Sequence, residues 1–233
     1  MGKLGVIIVA AGRGSRMGTA ESKQYLQLGQ KPILVHTLQL FQNIHEVDNI
    51  VLVVGADDVS RCDGYVASYG LSKVTCVAGG AERQDSVRRG LAHLQAGTEW
   101  VLVHDGVRPF VTQEQVFLCL AKAQEAGAAV LAVPVKDTIK VVDTEKRIQS
   151  TPDRRSLWAI QTPQAFRHAL LQEAHELAVR DEFMGTDDAM LVERMGTVVH
   201  VVEGDYYNIK ITTPEDLPWA EWILQNIRGE ERK

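Results

Sequence analysis

The chain has 233 residues and a mass of 25.8 kDa, and its 45% hydrophobic and 24% charged residues are typical of a globular protein. A formal net charge of −5 argues against sequence-independent binding to DNA or RNA, because such binding requires a surplus of cations. No apolar run approaches the ~20 residues of a membrane span. The apolar stretch near the N-terminus runs into a glycine-rich loop, as a strand does and a signal peptide does not. We therefore expect a cytoplasmic protein.

Short apolar runs alternate with longer amphipathic segments, and this pattern predicts an α/β protein. The predicted strands are Leu4–Ala10, Ile50–Gly55, Val74–Ala78, Trp100–His104, Ala128–Val135 and Val198–Val202. The predicted helices cover residues 32–43, 57–69, 82–95, 112–126, 166–181, 187–195 and 215–228. Several strands are apolar at consecutive positions, which is typical of parallel strands covered by helices on both faces. We therefore predict a mostly parallel sheet flanked by helices.

Residues 136–159 interrupt this alternation. Ile139, Val141 and Ile148 alternate with polar residues around a polar turn at 143–146, which predicts an inserted β-hairpin. The hairpin has apolar residues but no helix to cover them, so we expect it to pack on a second subunit. No linker, repeat or low-complexity tract divides the chain. The prediction is one domain over residues 1–233, with a hairpin arm at 136–159 that serves dimerisation.

Cysteine and histidine usage argues against several classes of enzyme. Cys62, Cys76 and Cys119 lack the spacing of a zinc site, and we expect free thiols in or near the core. The chain contains neither an HExxH pair nor a GxSxG nucleophile elbow. Metallohydrolase and serine-hydrolase chemistry are therefore disfavoured.

The loop after the first strand combines glycines with cations, namely Gly12, Arg13, Gly14, Arg16, Gly18 and Lys23. Glycines let backbone amides approach a phosphate closely, and three cations suit a triphosphate. The dinucleotide fingerprint GxGxxG fails because the third glycine comes one residue late, and the P-loop pattern GxxxxGK[ST] fails because Gly18 is followed by Thr19. A tight turn with solvated arginines remains the alternative interpretation.

This loop, VAAGRGSRMG with the later Lys23, resembles the signature loop of nucleotidyltransferases with the glycosyltransferase-A type, Rossmann-like fold. Six motifs follow it in order: AGGAERQDSV, VLVHDGVRPF, PVKDTIK, LWAIQTPQAF, GTDDA and NIKITTPEDL. Together they are similar to the 2-C-methyl-D-erythritol 4-phosphate cytidylyltransferase family of the non-mevalonate isoprenoid pathway. The resemblance implies cytidylyl transfer from CTP to that polyol phosphate, with release of pyrophosphate, by Mg²⁺-assisted in-line attack on the α-phosphorus in a homodimer.

The resemblance also implies roles for individual residues. By this resemblance, Arg16 and Lys23 would stabilise the transition state. Contacts to the nucleotide fall to Ala10, Ala11, Gly12, Gly14, Gly80, Ser86, Asp105 and Gly106. Asp105 would also hold Mg²⁺ or another divalent cation, which takes its remaining ligands from water and phosphate oxygens. Contacts to the polyol phosphate fall to Thr138, Arg154, Thr162, Thr186 and Lys210. Arg154 would reach the partner's site through the arm.

The chain departs from the family pattern at three positions. Ala81 stands where other members often have Asp, Val107 where many have Ala, and Tyr207 where an acid is common. Asp187 and Asp188 resemble paired carboxylates, but we interpret them as caps at the N-terminus of a helix. Side-chain contacts that the family makes at positions 81 and 207 are therefore not expected here.

Three alternative functions remain. A cytidylyltransferase for another polyol phosphate, such as ribitol 5-phosphate, would share the nucleotide motifs and differ around the arm. A dinucleotide-binding oxidoreductase is disfavoured by the late third glycine and by the lack of a ribose-binding acid. A catalytically inactive nucleotide-binding module would not need Arg16, Lys23 and Asp105 together.

Overall fold

The structure, a computed structural model, describes residues 2–12 and 21–227. Its strands are β1 Lys3–Ala10, β2 Gln27–Leu28, β3 Lys31–Pro32, β4 Val47–Val54, β5 Val74–Ala78, β6 Thr98–Asp105, β7 Ala128–Pro134, β8 Val141–Val142, β9 Ile148–Ser150, β10 Trp158–Arg167 and β11 His200–Glu203. Its α-helices are α1 Ile33–Gln42, α2 Val59–Ser68, α3 Arg83–Ala92, α4 Gln113–Ala126, α5 His168–Arg180, α6 Asp188–Arg194 and α7 Asp216–Asn226.

One seven-stranded sheet runs through the centre, with strand order β11-β7-β10-β6-β1-β4-β5. β10 is antiparallel to both neighbours and every other neighbouring pair is parallel, which confirms the mostly parallel fold. Parallel pairing brings the carboxyl ends of β1, β4 and β6 to one edge, where Ala10 pairs with Val54 and Val9 with Asp105. Ligands of open α/β sheets bind at this edge.

Helices cover both faces of the sheet, and alternate residues of β1 point into two different cores. Val6 and Ile8 belong to the core on the side of α1, α2 and α4, whereas Ile7 belongs to the core on the side of α3, α5 and α6. All three are fully buried. A central strand buried on both faces must be apolar at consecutive positions, which explains the sequence pattern. As expected, Cys62 and Cys119 are buried free thiols.

The predicted strands and helices are all present, and their ends differ from the predicted ends by at most three residues. Local chemistry accounts for several ends. Thr112 and Gln115 form a capping box at the start of α4. Gly127, with φ of +92°, follows the last residue of that helix in a backbone conformation that other residues rarely adopt.

Apart from the two-residue strands β2 and β3, β10 is the strand that the sequence pattern does not predict, although it lies between β6 and β7 in the middle of the sheet. Its centre holds Gln161, Thr162 and Pro163, and its register with β7 shifts between Ile160 and Gln164. Proline cannot donate a ladder hydrogen bond and is usually confined to edges or bulges. The polar centre and the proline therefore obscure a strand that is buried from Gln161 to Phe166.

The predicted hairpin is present as β8 paired antiparallel with β9. Asp143 organises its turn by accepting hydrogen bonds from the backbone N–H groups of Glu145 and Arg147, both at 2.9 Å. Both strands lie at the surface, and Val142 and Ile148 are 51% and 64% exposed.

Among residues 2–12 and 21–227, no helix combines the length and the apolar character that a membrane span requires.

Candidate active site

A cavity of about 320 Å³ opens at the carboxyl edge of β1 and β6. It is lined by Val9, Ala10, Ala11, Gly12, Lys23, Gln24, Gly80, Ala81, Glu82, Arg83, Ser86, Asp105, Val107 and Lys210. The structure thus brings together the sequence-predicted residues Ala10, Ala11, Gly12, Lys23, Gly80, Ser86, Asp105 and Lys210. Arg16, Gly14 and the neighbouring Arg13 lie outside the described residues. We call this cavity the nucleotide pocket, after the ligand that the sequence resemblance implies.

Asp105, at the end of β6, is a buried carboxylate surrounded by three cations. Lys210 Nζ lies 2.9 Å and Arg108 Nε 3.3 Å from Oδ2, while Arg83 Nε lies 3.9 Å from Oδ1. Burial by itself raises the pKa of Asp105, but Lys210, Arg83 and Arg108 outweigh burial and hold the pKa well below its usual value. Asp105 is therefore ionised at neutral pH, and the cations around it give the pocket a positive potential suited to an anion.

A hydrogen-bonded chain behind Asp105 fixes its backbone. The Asp105 N–H donates to Thr162 Oγ1 at 3.0 Å, and Thr162 Oγ1 lies 3.1 Å from His104 Nδ1. His104 Nε2 lies 3.0 Å from the carbonyl oxygen of Arg108, so Nε2 carries the proton and Nδ1 accepts from the Thr162 hydroxyl. Burial lowers the pKa of His104 to about 4, which keeps the imidazole neutral. His104 is thus a buried residue that supports Asp105 and does not line the pocket.

Two residues of the loop after β6, Gly106 and Arg108, also form hydrogen bonds that fix the backbone around Asp105. Arg108 donates from Nη1 to the carbonyl oxygen of Asn208 at 2.7 Å, and Asn208 donates from Nδ2 to the carbonyl oxygen of Thr162 at 3.0 Å. Gly106 donates its N–H to the carbonyl oxygen of Val9 at 3.0 Å. A Cβ at Gly106 would lie 2.9 Å from Leu34 and 3.1 Å from Ala10, so the approach of β6 to β1 leaves little room for a larger residue.

The turn between β5 and α3 forms another wall of the nucleotide pocket. A Cβ at Gly80 would lie 2.2 Å from the Cβ of Asp85, and one at Gly79 would lie 2.7 Å from the Cβ of Ala11. Both positions therefore require glycine for packing. The Ser86 hydroxyl accepts from the Gly80 N–H at 3.2 Å and donates to the carbonyl oxygen of Glu82 at 3.1 Å. Ser86, 2% exposed, thus shapes the turn that faces the pocket.

The predicted contacts to the second substrate are divided between the pocket and the surface. Lys210 lines the pocket and Thr162 is buried beneath Asp105. Thr138, Arg154 and Thr186 are exposed and do not line the pocket. Arg154 donates from Nη1 to the carbonyl oxygen of Lys136 at 2.8 Å, which ties it to the base of the arm. Among the described residues, the pocket therefore contains more of those predicted to contact the nucleotide than of those predicted to contact the polyol phosphate.

Two residues that matter to the pocket, Gln24 and Arg83, are not among the residues predicted from the sequence. Gln24 donates from Nε2 to the carbonyl oxygen of Ala10 at 2.8 Å and so braces the end of β1 against the segment that holds Lys23. Arg83 lines the pocket and forms a 2.7 Å ion pair with Asp188. Arg83 lies inside the motif AGGAERQDSV and Gln24 directly follows Lys23, so their position next to named site residues was the available signal.

The two aspartates at the start of α6, the N-cap Asp187 and the first helical residue Asp188, have different roles. Asp187 is the N-cap and accepts from the Met190 N–H at 2.9 Å, as expected. Asp188 is 1% exposed and pairs with Arg83, so the expectation that it is simply a cap was wrong. A carboxylate can occupy this interior position because a cation from α3 neutralises it.

Tyr207, where the sequence resemblance leads to the expectation of an acid, packs against an apolar cluster that includes Ile211, Ala220 and Ile223. Its ring centroid lies 6.1 Å from that of Trp219, which in turn stacks on Trp222 at 4.8 Å. The ring thus packs on a helix, and its backbone N–H donates to Asp205 Oδ1 at 2.9 Å.

A divalent cation fits the pocket only as a site with one protein carboxylate. Among the residues that the structure describes, no three His, Cys, Asp or Glu side chains cluster as a metal site. Asp105 is ionised, and Oδ1 is its less engaged oxygen because Lys210 and Arg108 both approach Oδ2. Mg²⁺ characteristically binds through one or two carboxylates together with phosphate oxygens and water. The donor set therefore fits a cation that arrives with a polyphosphate.

Comparisons with known proteins identify one family. A sequence model of the family described as 2-C-methyl-D-erythritol 4-phosphate cytidylyltransferase matches residues 4–226. The proteins of that name from Alkaliphilus metalliredigens and Geobacter metallireducens are 49% and 51% identical, and the alignments cover 99% and 94% of this chain and 96% of each relative.

Solved structures show the same likeness. The crystal structure of 4-diphosphocytidyl-2C-methyl-D-erythritol synthase from Anaerococcus prevotii superposes with a TM-score of 0.85 at 36% identity, over 96% of both chains. The crystal structure of 2-C-methyl-D-erythritol 4-phosphate cytidylyltransferase from Thermus thermophilus superposes with a TM-score of 0.78 at 36% identity, over 94% of this chain and 98% of that one.

Proposed function

The chain belongs to the 2-C-methyl-D-erythritol 4-phosphate cytidylyltransferase family, and we propose that it transfers a cytidylyl group from CTP to 2-C-methyl-D-erythritol 4-phosphate. The products are 4-CDP-2-C-methyl-D-erythritol and pyrophosphate. The observation that carries the proposal is the ionised Asp105 with Lys210, Arg108 and Arg83 around it, at the carboxyl edge of a nucleotidyltransferase sheet.

The reaction is a substitution at phosphorus. A phosphate oxygen of the polyol phosphate attacks the α-phosphorus of CTP and forms a new P–O bond. The bond between the α-phosphorus and the oxygen that bridges to the β-phosphate breaks, and pyrophosphate leaves. The attacking phosphate is already an anionic nucleophile, so the site needs no strong general base. Catalysis then depends on positioning and on neutralisation of the charge that develops in the transition state.

The residues of the pocket match these requirements. Lys23 and Lys210 both line the cavity and supply the neutralising charge, with Arg16 of the preceding loop completing the proposed set. The backbone of Ala10, Ala11 and Gly12 faces the nucleotide at the end of β1. The glycine turn at 79–80 gives close access to a flat base on the other wall of the pocket.

Asp105 is the proposed ligand of Mg²⁺ or a similar divalent cation. Such a cation would supply further neutralisation of the triphosphate when it is bound. Lys210 and Arg108 approach Oδ2 of Asp105, so Oδ1, with Arg83 Nε 3.9 Å away, is the oxygen that we propose binds the cation. The low pKa of Asp105 keeps that oxygen unprotonated at every physiological pH.

The arm is the proposed dimer contact. Val142 and Ile148 are cross-strand partners on one face of the hairpin and are 51% and 64% exposed, and the neighbouring Val141 is 47% exposed. Burial of such residues against a second copy removes apolar surface from water. Arg154 lies on the same insertion, so docking of the arm on a partner would carry its guanidinium toward the partner's pocket. A cytoplasmic location completes the proposal.

The direct test is release of pyrophosphate by the purified chain with Mg²⁺ and CTP, measured with 2-C-methyl-D-erythritol 4-phosphate and, in parallel, with ribitol 5-phosphate. We expect release with the methylerythritol phosphate. Release with ribitol phosphate alone would replace the proposed substrate by a different polyol phosphate, and no release with either would refute cytidylyl transfer.

A further inference from the structure

Arg83, the first residue of α3, lines the nucleotide pocket, and its guanidinium pairs with a buried carboxylate that lies outside the pocket. Arg83 Nη1 lies 2.7 Å from Asp188 Oδ2. Asp188 is 1% exposed and does not line the pocket. A buried carboxylate is tolerated when a cation pairs with it, and removal of one partner leaves the other charge uncompensated. The fold therefore depends on this pair, and the pair in turn sets the direction of Arg83.

His175 of α5 holds the other oxygen of the same carboxylate. His175 Nε2 lies 3.1 Å from Asp188 Oδ1, and both side chains are 1% exposed. Among the residues that the structure describes, His175 Nδ1 has no hydrogen-bond partner, so the proton lies on Nε2, which donates to Asp188. Asp188 thus receives one partner from α5 and one from α3. We call this arrangement of His175, Asp188 and Arg83 the buried strut.

The other end of the buried strut reaches the site. Arg83 Nε lies 3.9 Å from Asp105 Oδ1, whereas Lys210 and Arg108 approach Oδ2. The Arg83 side chain is 29% exposed, so part of its guanidinium faces the cavity. Arg83 therefore brings a cation to the side of Asp105 that the other two cations leave open.

The segment before α6 is tied to α3 at a second point. Gln84, the residue after Arg83, accepts on Oε1 from the Gly185 N–H at 2.9 Å and donates from Nε2 to the carbonyl oxygen of Phe183 at 3.0 Å. The position of Asp188 relative to α3 is thus fixed by hydrogen bonds as well as by charge. A fixed Asp188 can hold the guanidinium in one orientation before any ligand binds.

We propose that Arg83 binds the polyphosphate of CTP, and that Asp188 and His175 are positioning residues that aim its guanidinium into the pocket. The inference rests on the proposed function, because CTP is the ligand. It adds a cation and two buried residues, from α5 and α6, to the nucleotide side of the site. Neither Asp188 nor His175 touches the nucleotide.

For the variant Asp188→Asn, the buried strut predicts a change in CTP affinity of opposite sign to the change that simple electrostatics predicts. If Asp188 acted only as a nearby negative charge, its neutralisation in Asp188→Asn would strengthen the binding of an anionic nucleotide. If Asp188 aims Arg83, the same change weakens binding because the guanidinium loses its fixed direction. The sign of the change in affinity therefore separates the two explanations.

The test is the dissociation constant of CTP, measured by titration calorimetry in metal-free buffer, together with KM for CTP and kcat in the presence of Mg²⁺. We expect Arg83→Met to weaken CTP binding by about tenfold to a hundredfold, the range for loss of one charged hydrogen-bonded contact. Asp188→Asn should weaken binding in the same direction, with a larger effect on KM for CTP than on kcat. Arg83→Lys should recover part of the loss, because the charge returns without the planar fork.

The matched control is Arg88→Met, since Arg88 lies on the same helix, is 49% exposed and pairs at 3.9 Å with Asp85 outside the pocket. It changes the net charge by the same amount as Arg83→Met and should leave CTP binding unchanged.

The double variant Arg83→Met with Asp188→Asn removes both buried charges and keeps the test valid if Asp188→Asn alone does not fold. We expect its CTP affinity to equal that of Arg83→Met, because Asp188 acts only through Arg83. Unchanged or tighter CTP binding by Asp188→Asn, equal effects of Arg83→Met and Arg88→Met, or weaker binding by the double variant than by Arg83→Met would each overturn the inference. A wild-type chain that does not bind CTP would instead overturn the proposed function.

Discussion

The nucleotide pocket and the hairpin arm differ in how their functional side chains are held. In the pocket, Asp105 meets three cations and its backbone is fixed by Thr162, all within one chain. On the arm, Thr138 and Arg154 are exposed, and the apolar residues of β8 and β9 face outward. The described part of the pocket is thus held by contacts within one chain, whereas the arm is an exposed surface that we propose contacts another copy of the chain.

This difference has a physical origin in the sheet. Parallel strands end together at one edge, so residues from distant parts of the sequence converge there without any further device. The arm leaves the sheet between β7 and β10, and its two short strands have local hydrogen bonds but no covering layer. Two-stranded hairpins gain stability mainly when a third surface covers them. The predictions below test this contrast in order of decreasing expected effect.

The largest effect is expected at the pocket. Lys23→Ala should lower kcat by about a hundredfold to a thousandfold, the range for loss of one preorganised group that stabilises the transition state. The urea midpoint of unfolding should stay close to that of the wild type, because Lys23 is only partly buried. Near-normal turnover of a folded Lys23→Ala enzyme would contradict the proposed role.

The second prediction asks whether the arm serves the neighbouring pocket. Lys23→Ala and Arg154→Ala chains should each be nearly inactive alone. After unfolding and refolding as an equal mixture, about a quarter of the pockets would combine an intact Lys23 with an intact Arg154 from the other subunit. Recovery of about that share of wild-type activity is expected. No recovery, in a sample shown to contain mixed dimers, would mean that each arm serves its own chain.

The third prediction concerns assembly. Ile148→Glu places a charge on the apolar face of the arm, and the desolvation of that charge should oppose docking. Val198→Glu is the control, since Val198 is 68% exposed and lies outside the arm. Light scattering should give half the wild-type mass for Ile148→Glu and the full mass for Val198→Glu. A wild-type mass for both variants would remove the arm from the dimer contact.

The smallest effect is expected from the buried support of the pocket. His104 has a pKa of about 4 in the fold, below its ordinary value of about 6.5. Between these values the unfolded chain binds more protons than the native one, so stability falls as pH falls from about 6.5 to about 4, by up to about 3 kcal/mol.

Urea unfolding in metal-free buffer at pH 7 and pH 5 would measure this loss. His104→Gln should lose less stability between the two pH values than the wild type does, because Gln does not titrate. His45→Gln, at an exposed position, serves as the control and should keep the wild-type dependence. Equal pH dependence in all three proteins would show that His104 is not the group responsible.

Much of the fold was predictable because its signals are local. Consecutive apolar residues in Leu4–Ala10 and in residues 51–54 indicate buried parallel strands, and the polar turn at 143–146 indicates the hairpin. β10 was not predictable in the same way, because Gln161, Thr162 and Pro163 conceal its strand character. Its place between β6 and β7 depends on long-range pairing, to which local propensity is a weak guide.

By itself, the sequence determined the α/β class, the order of the motifs and, through their resemblance, the family and the candidate residues near Lys23 and Asp105. These follow from periodicity, glycine spacing and residue identity, which are properties of neighbouring positions. Only the tertiary structure decided that three cations meet one carboxylate, that Thr162 and His104 support it, and that Asp188 pairs with Arg83. Those relations join residues far apart in the chain, and burial sets their strength, because a charge removed from water must find its partner within the fold.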